Sequence, residues 1–487
     1  MIDDLKNQTM TAVFWGFLER FGTQALQFIF SIIMARLLLP EEFGVVAMLS
    51  IFVAMGHTFV NSGFGQALIQ KQDVKHIDEC SIFYFNIFVA LLAMVILFFC
   101  APLIADFYNQ PQLILMSRVL SLIFIFNALG LVQRTLLNKN LDFKTQLKVS
   151  LLASLISGAV AVGFAFNGFG AWSLIALFLC TDLLNTVFLW SFSSWRPSLI
   201  FSLISLKSMF SFGSKLFIVS LANSVFTNLY KLIIGKMFNP AALGFYARAD
   251  SLYKYPVVIL NSVVSQVTFP VFSKIQNDKK RLKNAVQKSL KTITLISFPI
   301  MIGLMIVAHP LVEILLTKKW LPSVFYLQLL CVIGMIHPIS VINLNALNAQ
   351  GRSDLFLKID VINKVLILLV VIITYRFGIV AMIIGQIINS VISLYIYTFY
   401  SGKLLGLNFL TQIKDIFPSF LISISMGFLI YSVKYLSIDS QLLLLITQII
   451  IGVLSYISLC FIFKISAFME IISMIKDFKT SRKSNKI

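Results

Sequence analysis

The sequence predicts an all-α, polytopic integral membrane protein of about fourteen transmembrane helices. Three observations predict it. The chain has 59% apolar and 12% charged residues over 487 positions, with a mean hydropathy of +0.91, whereas a soluble globule averages roughly 25% charged. Its polar clusters divide it into apolar runs long enough to cross a bilayer core, which takes about 20 residues. The runs also repeat: the second half of the chain restates motifs of the first.

The runs follow in order. The first, 11–38, stops at "LPEE"; the second, 43–69, at "QKQDVKH"; the third, 81–105, at "DFYNQPQ". The fourth, 113–137, stops at "NKNLDFK", the fifth, 146–166, at "NGFG", and the sixth, 170–192, at "SSWRPS". The seventh and eighth, 208–236 and 241–272, are parted by "FNPA". The polar piece "SKIQNDKKRLKNAVQKSLK" then reads as a loop before the ninth run, 292–316. Runs at 322–348, 356–375, 379–401, 413–435 and 441–463 complete the set, and no gap is long enough for a soluble domain. Asp3, Asp4, Lys6, Glu19 and Arg20 interrupt any short apolar core of the kind a cleaved leader needs, so the first run is expected to stay and span.

Orientation follows from basic residues, which concentrate in cytoplasmic loops. With the N-terminus inside, Lys139, Lys144, Lys279, Lys280, Arg281, Lys283 and the tail residues Lys479, Arg482, Lys483 and Lys486 are cytoplasmic. Few fall outside: Arg36, Lys236, Lys318, Lys319, Arg376 and Lys434. Both termini are therefore expected in the cytoplasm. The net charge of +19 is then topology plus attraction to anionic lipid, and nucleic acid is not a partner. Cys80, Cys100, Cys180, Cys331 and Cys460 form no CxxC pair, so neither a disulfide framework nor a zinc site is expected.

The repeat has an offset of 200. "NPAALGFYA" (239–247) lies over "LPEEFGVVA" (39–47), aligning Pro240 with Pro40, Gly244 with Gly44 and Ala247 with Ala47, and "NSVVSQ" (261–266) lies over "NSGFGQ" (61–66). Weaker echoes pair "APLIAD" with "HPLVEI", "LNKNLDFK" with "LNAQGRSDLFLK" and "GFGAW" with "RFGIV". The first twelve helices thus read as two six-helix copies, 1–192 and 208–403, joined by a cytoplasmic linker at 193–207. Two additional helices at 404–464 and a basic tail at 465–487 follow. An even helix count makes the copies parallel, an arrangement typical of transporters, whose site lies between the copies.

Helical spacing of i, i+4, i+7 and i+11 places residues within about 40° of one face. In the first helix that face is Arg20, Gln24, Gln27 and Ser31; in the seventh it is Ser220, Ser224, Thr227 and Lys231. These equivalent stripes, with Asn61 and Asn261, are expected to line an aqueous cavity, because a buried Arg is costly in a helix seam without an acid beside it. His57, one turn before Asn61, is a packing or cavity residue. Asp250 and Lys254 are one turn apart and neutralise each other, which leaves Arg248 for another partner. Asp360 and Lys364 form a second such pair, structural or part of a proton or sodium relay. Arg118, Lys215 and Lys231 lie nearer helix ends, where long side chains reach the interface. The surplus of intramembrane cations over Glu19, Asp182, Asp250 and Asp360 wants an anion. Tyr246, Tyr253 and Tyr255 add stacking faces and hydroxyls suited to sugars and phosphates.

Other function classes are disfavoured. His57, His76, His309 and His337 make no HExxH or other metal spacing, and there is no GxGxxG or GKS phosphate loop. A membrane enzyme would need a sizeable extracytoplasmic loop, and the chain has none. A cation-coupled drug antiporter would want unpaired acids in an apolar pocket.

The run "ARLLLPEEFGVVAMLSIFVAMGHTFVNSGFGQALIQKQD" (35–73), with "QRTLLNKNLDFK" (133–144), "GAWSLI" (170–175), "WRPSL" (195–199) and "NAQGRSDLFLK" (348–358), resembles the polysaccharide exporters. These are flippases for lipid-linked oligosaccharides, in the superfamily that includes multidrug extruders. The resemblance implies two six-helix lobes in a V, a cationic central cavity and a bacterial inner-membrane location. It implies as cargo an undecaprenyl pyrophosphate-linked oligosaccharide, moved by alternating access from the cytoplasmic to the periplasmic leaflet for lipopolysaccharide, capsule or exopolysaccharide synthesis. Related lipid II flippases use arginines on the first and eighth helices toward pyrophosphate, so Arg20 and Arg248, helped by Lys215 or Lys231, are the candidate anion-binding residues. The last two helices, 413–463, would hold the lipid tail. No metal or cofactor is implied; H+ or Na+ acting on Glu19, Asp250 or Asp360 is the candidate coupling ion. Membrane lipids are partners, a polysaccharide polymerase and a ligase are further candidates, and a multidrug antiporter of the same superfamily is the alternative function.

Overall fold

The structure is a computed structural model that describes residues 2–61, 63–436 and 440–473. Among these residues every regular element is a helix. The tail residues Lys479, Arg482, Lys483 and Lys486 lie outside them, as does most of the "SIDS" break.

The first helices are α1 (Ile2–Leu37), α2 (Pro40–Asn61), α3 (Phe64–Gln70) and α4 (His76–Tyr108). Pro40 opens α2 because a proline lacks the N–H that a first helical turn leaves unused. The second expected span breaks before α3, where Gly63 takes a left-handed φ of 74°. Asp78 holds the start of α4 by accepting from the Lys75 amide at 3.0 Å. Next come α5 (Leu113–Leu120) and α6 (Leu122–Lys139), which together occupy the fourth expected span, then α7 (Phe143–Phe166) and α8 (Ala171–Phe192). Asp142 caps α7 by accepting from the Thr145 amide at 3.0 Å. After the linker come α9 (Leu203–Met237), α10 (Pro240–Lys274) and α11 (Lys279–Leu316), the last capped by Asp278.

The piece expected as a 19-residue loop is therefore mostly the first turns of α11. Leu282, Val286, Leu290 and Ile293 recur on one buried face among its lysines, a period that forms an amphipathic helix. The remaining helices are α12 (Ser323–Ala349), α13 (Ser353–Thr374), α14 (Ile379–Leu405), α15 (Phe409–Ser432) and α16 (Gln441–Ile462). Twelve spans among the described residues are long and apolar enough to cross a membrane. α1 and α13 are further long helices at the places of the first and eleventh expected spans; α13 carries Asp354, Lys358, Asp360 and Lys364.

Packing divides the chain into two units, Met1–Gly244 and Phe245–Ile487. In the first, α1 packs on α7, α7 on α8, α8 and α4 on α6, and α2 on α9. By packing, α9 thus belongs to the first unit, although the repeat assigns it to the second copy. The motifs aligned by the repeat meet here. A Cβ added to Gly44 would overlap the Pro240 carbonyl, and one added to Gly244 would overlap the Pro40 carbonyl. Only glycine lets two helix backbones approach so closely.

The linker is docked rather than loose. Trp195 Nε1 donates to Glu79 Oε2 at 2.7 Å, the Ser202 amide donates to Ser81 Oγ at 2.9 Å, and Ser205 Oγ donates to Asp78. Asp78 is 2% exposed and also pairs with Lys71 at 2.7 Å. In the second unit α11 packs on α12 and α15, α12 and α13 on α14, and α15 on α16. Its core joins Leu282, Val286 and Leu290 to Ile342, Ala346, Leu405 and Ile416. A buried Asn343–Gln412 hydrogen bond of 3.0 Å crosses from α12 to α15.

Candidate functional site

The first unit has a half-open polar cavity of about 220 Å³ between α1, α6, α7 and α8. α1 contributes Glu19, Thr23 and Gln27, spaced i, i+4 and i+8 and so on one face. α6 contributes Arg134, α7 Gln146, Ser150 and Ser154, and α8 Thr181 and Asn185. Ser150 Oγ donates to Glu19 Oε1 at 3.3 Å, and Gln146 Nε2 donates to Asn138 Oδ1 at 3.0 Å. Thr181 Oγ1 bonds Ser157 Oγ at 2.8 Å. Arg134 has neither a hydrogen bond nor an ion pair among the described residues. Its charge acts on a neighbouring pair, His57 and Asp182, which stand 3.9 Å apart with Asn127 Nδ2 3.2 Å from the other ring nitrogen of His57.

Of the stripe expected on α1, Gln27 shares this cavity. Arg20 is exposed on a different side of the helix from its neighbour Glu19, Gln24 is half-buried, and Ser31 Oγ donates to the Phe28 carbonyl at 2.8 Å. On α9, Lys215, Ser220 and Thr227 are exposed, while Ser224 and Lys231 are half-buried. Asn61 is exposed at the end of α2.

The second unit holds the other candidates. Arg248 and Asp250 on α10 are each 4% exposed. Lys254 Nζ stands 2.8 Å from Asp250, and Lys364 Nζ 2.5 Å from Asp360, so both pairs read from i, i+4 spacing are formed. Asn261 Nδ2 lies 2.9 Å from His337 Nδ1 on α12. Gln386 Nε2 donates to Tyr246 at 2.9 Å. Near Asp360, Asn363 bridges Tyr397 at 3.0 Å and Ser393 at 2.9 Å. Among the described residues no group of three or more His, Cys, Asp or Glu could hold a metal ion.

Sequence reasoning missed Arg134 and the meeting of His57 with Asp182. Arg134 stands inside "QRTLLNKNLDFK" and was readable as a lone cation in an apolar run. His57 and Asp182 are 125 positions apart, and no local spacing announces such a pair.

The comparisons agree with this architecture. The family model described as "Polysaccharide biosynthesis protein" matches residues 33–325. The chain is 27% identical over 405 residues to the lipopolysaccharide biosynthesis protein WzxC of Escherichia coli strain K12, covering 80% of this chain and 81% of that one. It is 27% identical over 417 residues to the teichuronic acid biosynthesis protein TuaB of Bacillus subtilis strain 168, covering 82% and 84%. The fold is similar to that of the lipid II flippase MurJ in an inward closed conformation, with a TM-score of 0.76 at 18% identity over 92% of this chain and 98% of that one. A family match over more than half its length, on a chain of many membrane-length helices, places this chain in the polysaccharide biosynthesis protein family.

Proposed function

We propose that the protein is a flippase that carries an undecaprenyl pyrophosphate-linked oligosaccharide from the cytoplasmic to the periplasmic leaflet by alternating access. The observation that carries this reading is charge held within membrane-spanning helices of a flippase-type fold: Arg248 is 4% exposed in α10, and Arg134 faces a polar cavity. Intramembrane cations are costly and mark a substrate path. In this reading Arg20 and Arg248, with Lys215 or Lys231, offset the pyrophosphate, polar groups hydrate the glycan, and the lipid tail stays in hydrocarbon beside α15 and α16. A gradient of H+ or Na+ acting on Glu19, Asp250 or Asp360 drives the exchange of facing states. A polymerase and a ligase consume the delivered repeat unit.

The test is a strain lacking the protein, scored for its lipid-linked glycan pool and surface polysaccharide. Repeat units should accumulate on the cytoplasmic leaflet while surface glycan is lost, and the wild-type chain should restore both. Arg20→Ala and Arg248→Ala should abolish export at normal protein abundance. Normal export in both variants would sink the pyrophosphate assignment. An unchanged pool with altered resistance to cationic dyes would favour a multidrug antiporter.

A further inference from the structure

The cavity of the first unit has an inventory that restricts its ligand. Glu19 and Arg134 contribute one charge of each sign, so the lining is formally neutral. A phosphate would meet the carboxylate as well as the guanidinium, and an organic cation would meet the guanidinium as well as the carboxylate; neither gains net attraction. Around the two charges stand the amides of Gln27, Gln146 and Asn185 and the hydroxyls of Thr23 and Ser150. Planar amide, guanidinium and carboxylate groups with hydroxyls between them offer donors and acceptors in alternation, which is what the hydroxyls of a sugar ring present in return.

Size agrees. About 220 Å³ falls below the roughly 300 Å³ at which sites for drug-sized ligands begin. That is the scale of one sugar ring, not of an oligosaccharide. Two lining groups also wait for a partner. The buried Thr23 hydroxyl has none, and Arg134 has no hydrogen bond or ion pair among the described residues. Buried polar groups are normally satisfied, and water alone is a poor reason to keep a guanidinium within a membrane-spanning helix.

Position agrees as well. Arg134 lies five residues before the end of α6 at Lys139, about 7.5 Å at 1.5 Å per residue. Gln146 lies near the start of α7 and Asn185 near the end of α8. The cavity is thus at the end of the helices that carries Lys139, Lys144 and Lys148, the end that charge distribution assigns to the cytoplasm. We propose that this cavity is a subsite for one uncharged sugar residue of the carried glycan, engaged from the cytoplasmic side. It rests on the flippase reading and adds to it a determinant of which glycan is accepted.

The test uses the full chain in lipid nanodiscs with two probes: bare undecaprenyl pyrophosphate, and the same lipid bearing the host's repeat unit, isolated from the deletion strain. The wild type should bind the glycan-bearing lipid more tightly. Asn185→Leu and Ser150→Leu fill the cavity with apolar bulk and should lower the ratio of the two affinities about tenfold, a step of about 1.4 kcal/mol. Gln146→Ala removes a polar arm without adding bulk, and should lower the ratio in a protein whose melting temperature matches the wild type. A ratio unchanged in all three variants overturns the subsite. Wild-type protein that binds neither lipid removes the flippase reading, and the subsite with it.

Discussion

Asp250 is 4% exposed, and its carboxylate stands 2.8 Å from Lys254 one turn along α10. Breaking a buried ion pair by removing one member leaves a charge with its desolvation uncompensated, at a cost of roughly 3 kcal/mol. The lysine side chain is 38% exposed, so the effect belongs at or below that figure. Asp250→Asn should lower the thermal midpoint in detergent, and adding Lys254→Met should recover part of the loss; a double variant no more stable than the single one would show that the pair is not the relevant partnership. This pair and Asp360–Lys364 were legible in the sequence because i, i+4 neighbours meet in any α-helix. The His57–Asp182 approach and the isolation of Arg134 were not, since both depend on which faces of α2, α6 and α8 turn toward one another. The stripe expected on α1 illustrates the same limit. Periodicity found the polar helix; that a second face of it, Glu19–Thr23–Gln27, lines a cavity within the first unit follows only from its packing on α7.

At the scale of elements, close contacts set the tolerances. Gly44 and Gly244 each meet the other's partner proline carbonyl, so Gly44→Ala and Gly244→Ala should destabilise by similar amounts, about 1–3 kcal/mol for overpacking a tight contact. Thermal melts of the purified variants check this, and two unchanged midpoints would show that the backbones are not so close in the dominant state. The linker has its own anchor. Asp78 accepts from the Lys75 amide, pairs with Lys71 and receives Ser205. Asp78→Ala strands these donors, should cost about 3 kcal/mol, and should make residues 193–202 sensitive to limited proteolysis. Protease resistance equal to the wild type would mean that the remaining contacts of Trp195 and Ser202 suffice. The start of α11 was misread as a loop because its lysines dominate composition. Its buried leucine and valine period was present but interrupted by charge, and the core of the second unit decides that it is a helix.

At the scale of the whole molecule, the orientation implied by the basic residues is a prediction of its own. Single cysteines placed at Gln276 and at Gln112, both exposed, in a background without the five native cysteines, should be labelled by impermeant reagents from opposite sides, with Gln276 facing the cytoplasm. Labelling from the same side would invalidate the assignment of the cavity's end. The all-helical class, the places of most of the apolar runs, the internal repeat and the two one-turn ion pairs were determined by the sequence by itself, whereas of the fourteen expected spans twelve among the described residues are long and apolar enough to cross a membrane. Bilayer crossing depends on summed apolarity over about 20 residues, and one-turn pairing on the helical period, both local quantities. Only the tertiary structure decided that α9 packs with the first unit, that the linker is anchored on α4, and that Glu19 and Arg134 share one polar cavity. Each of these joins residues far apart in the chain, where close packing of specific faces, and not any local period, selects the neighbours.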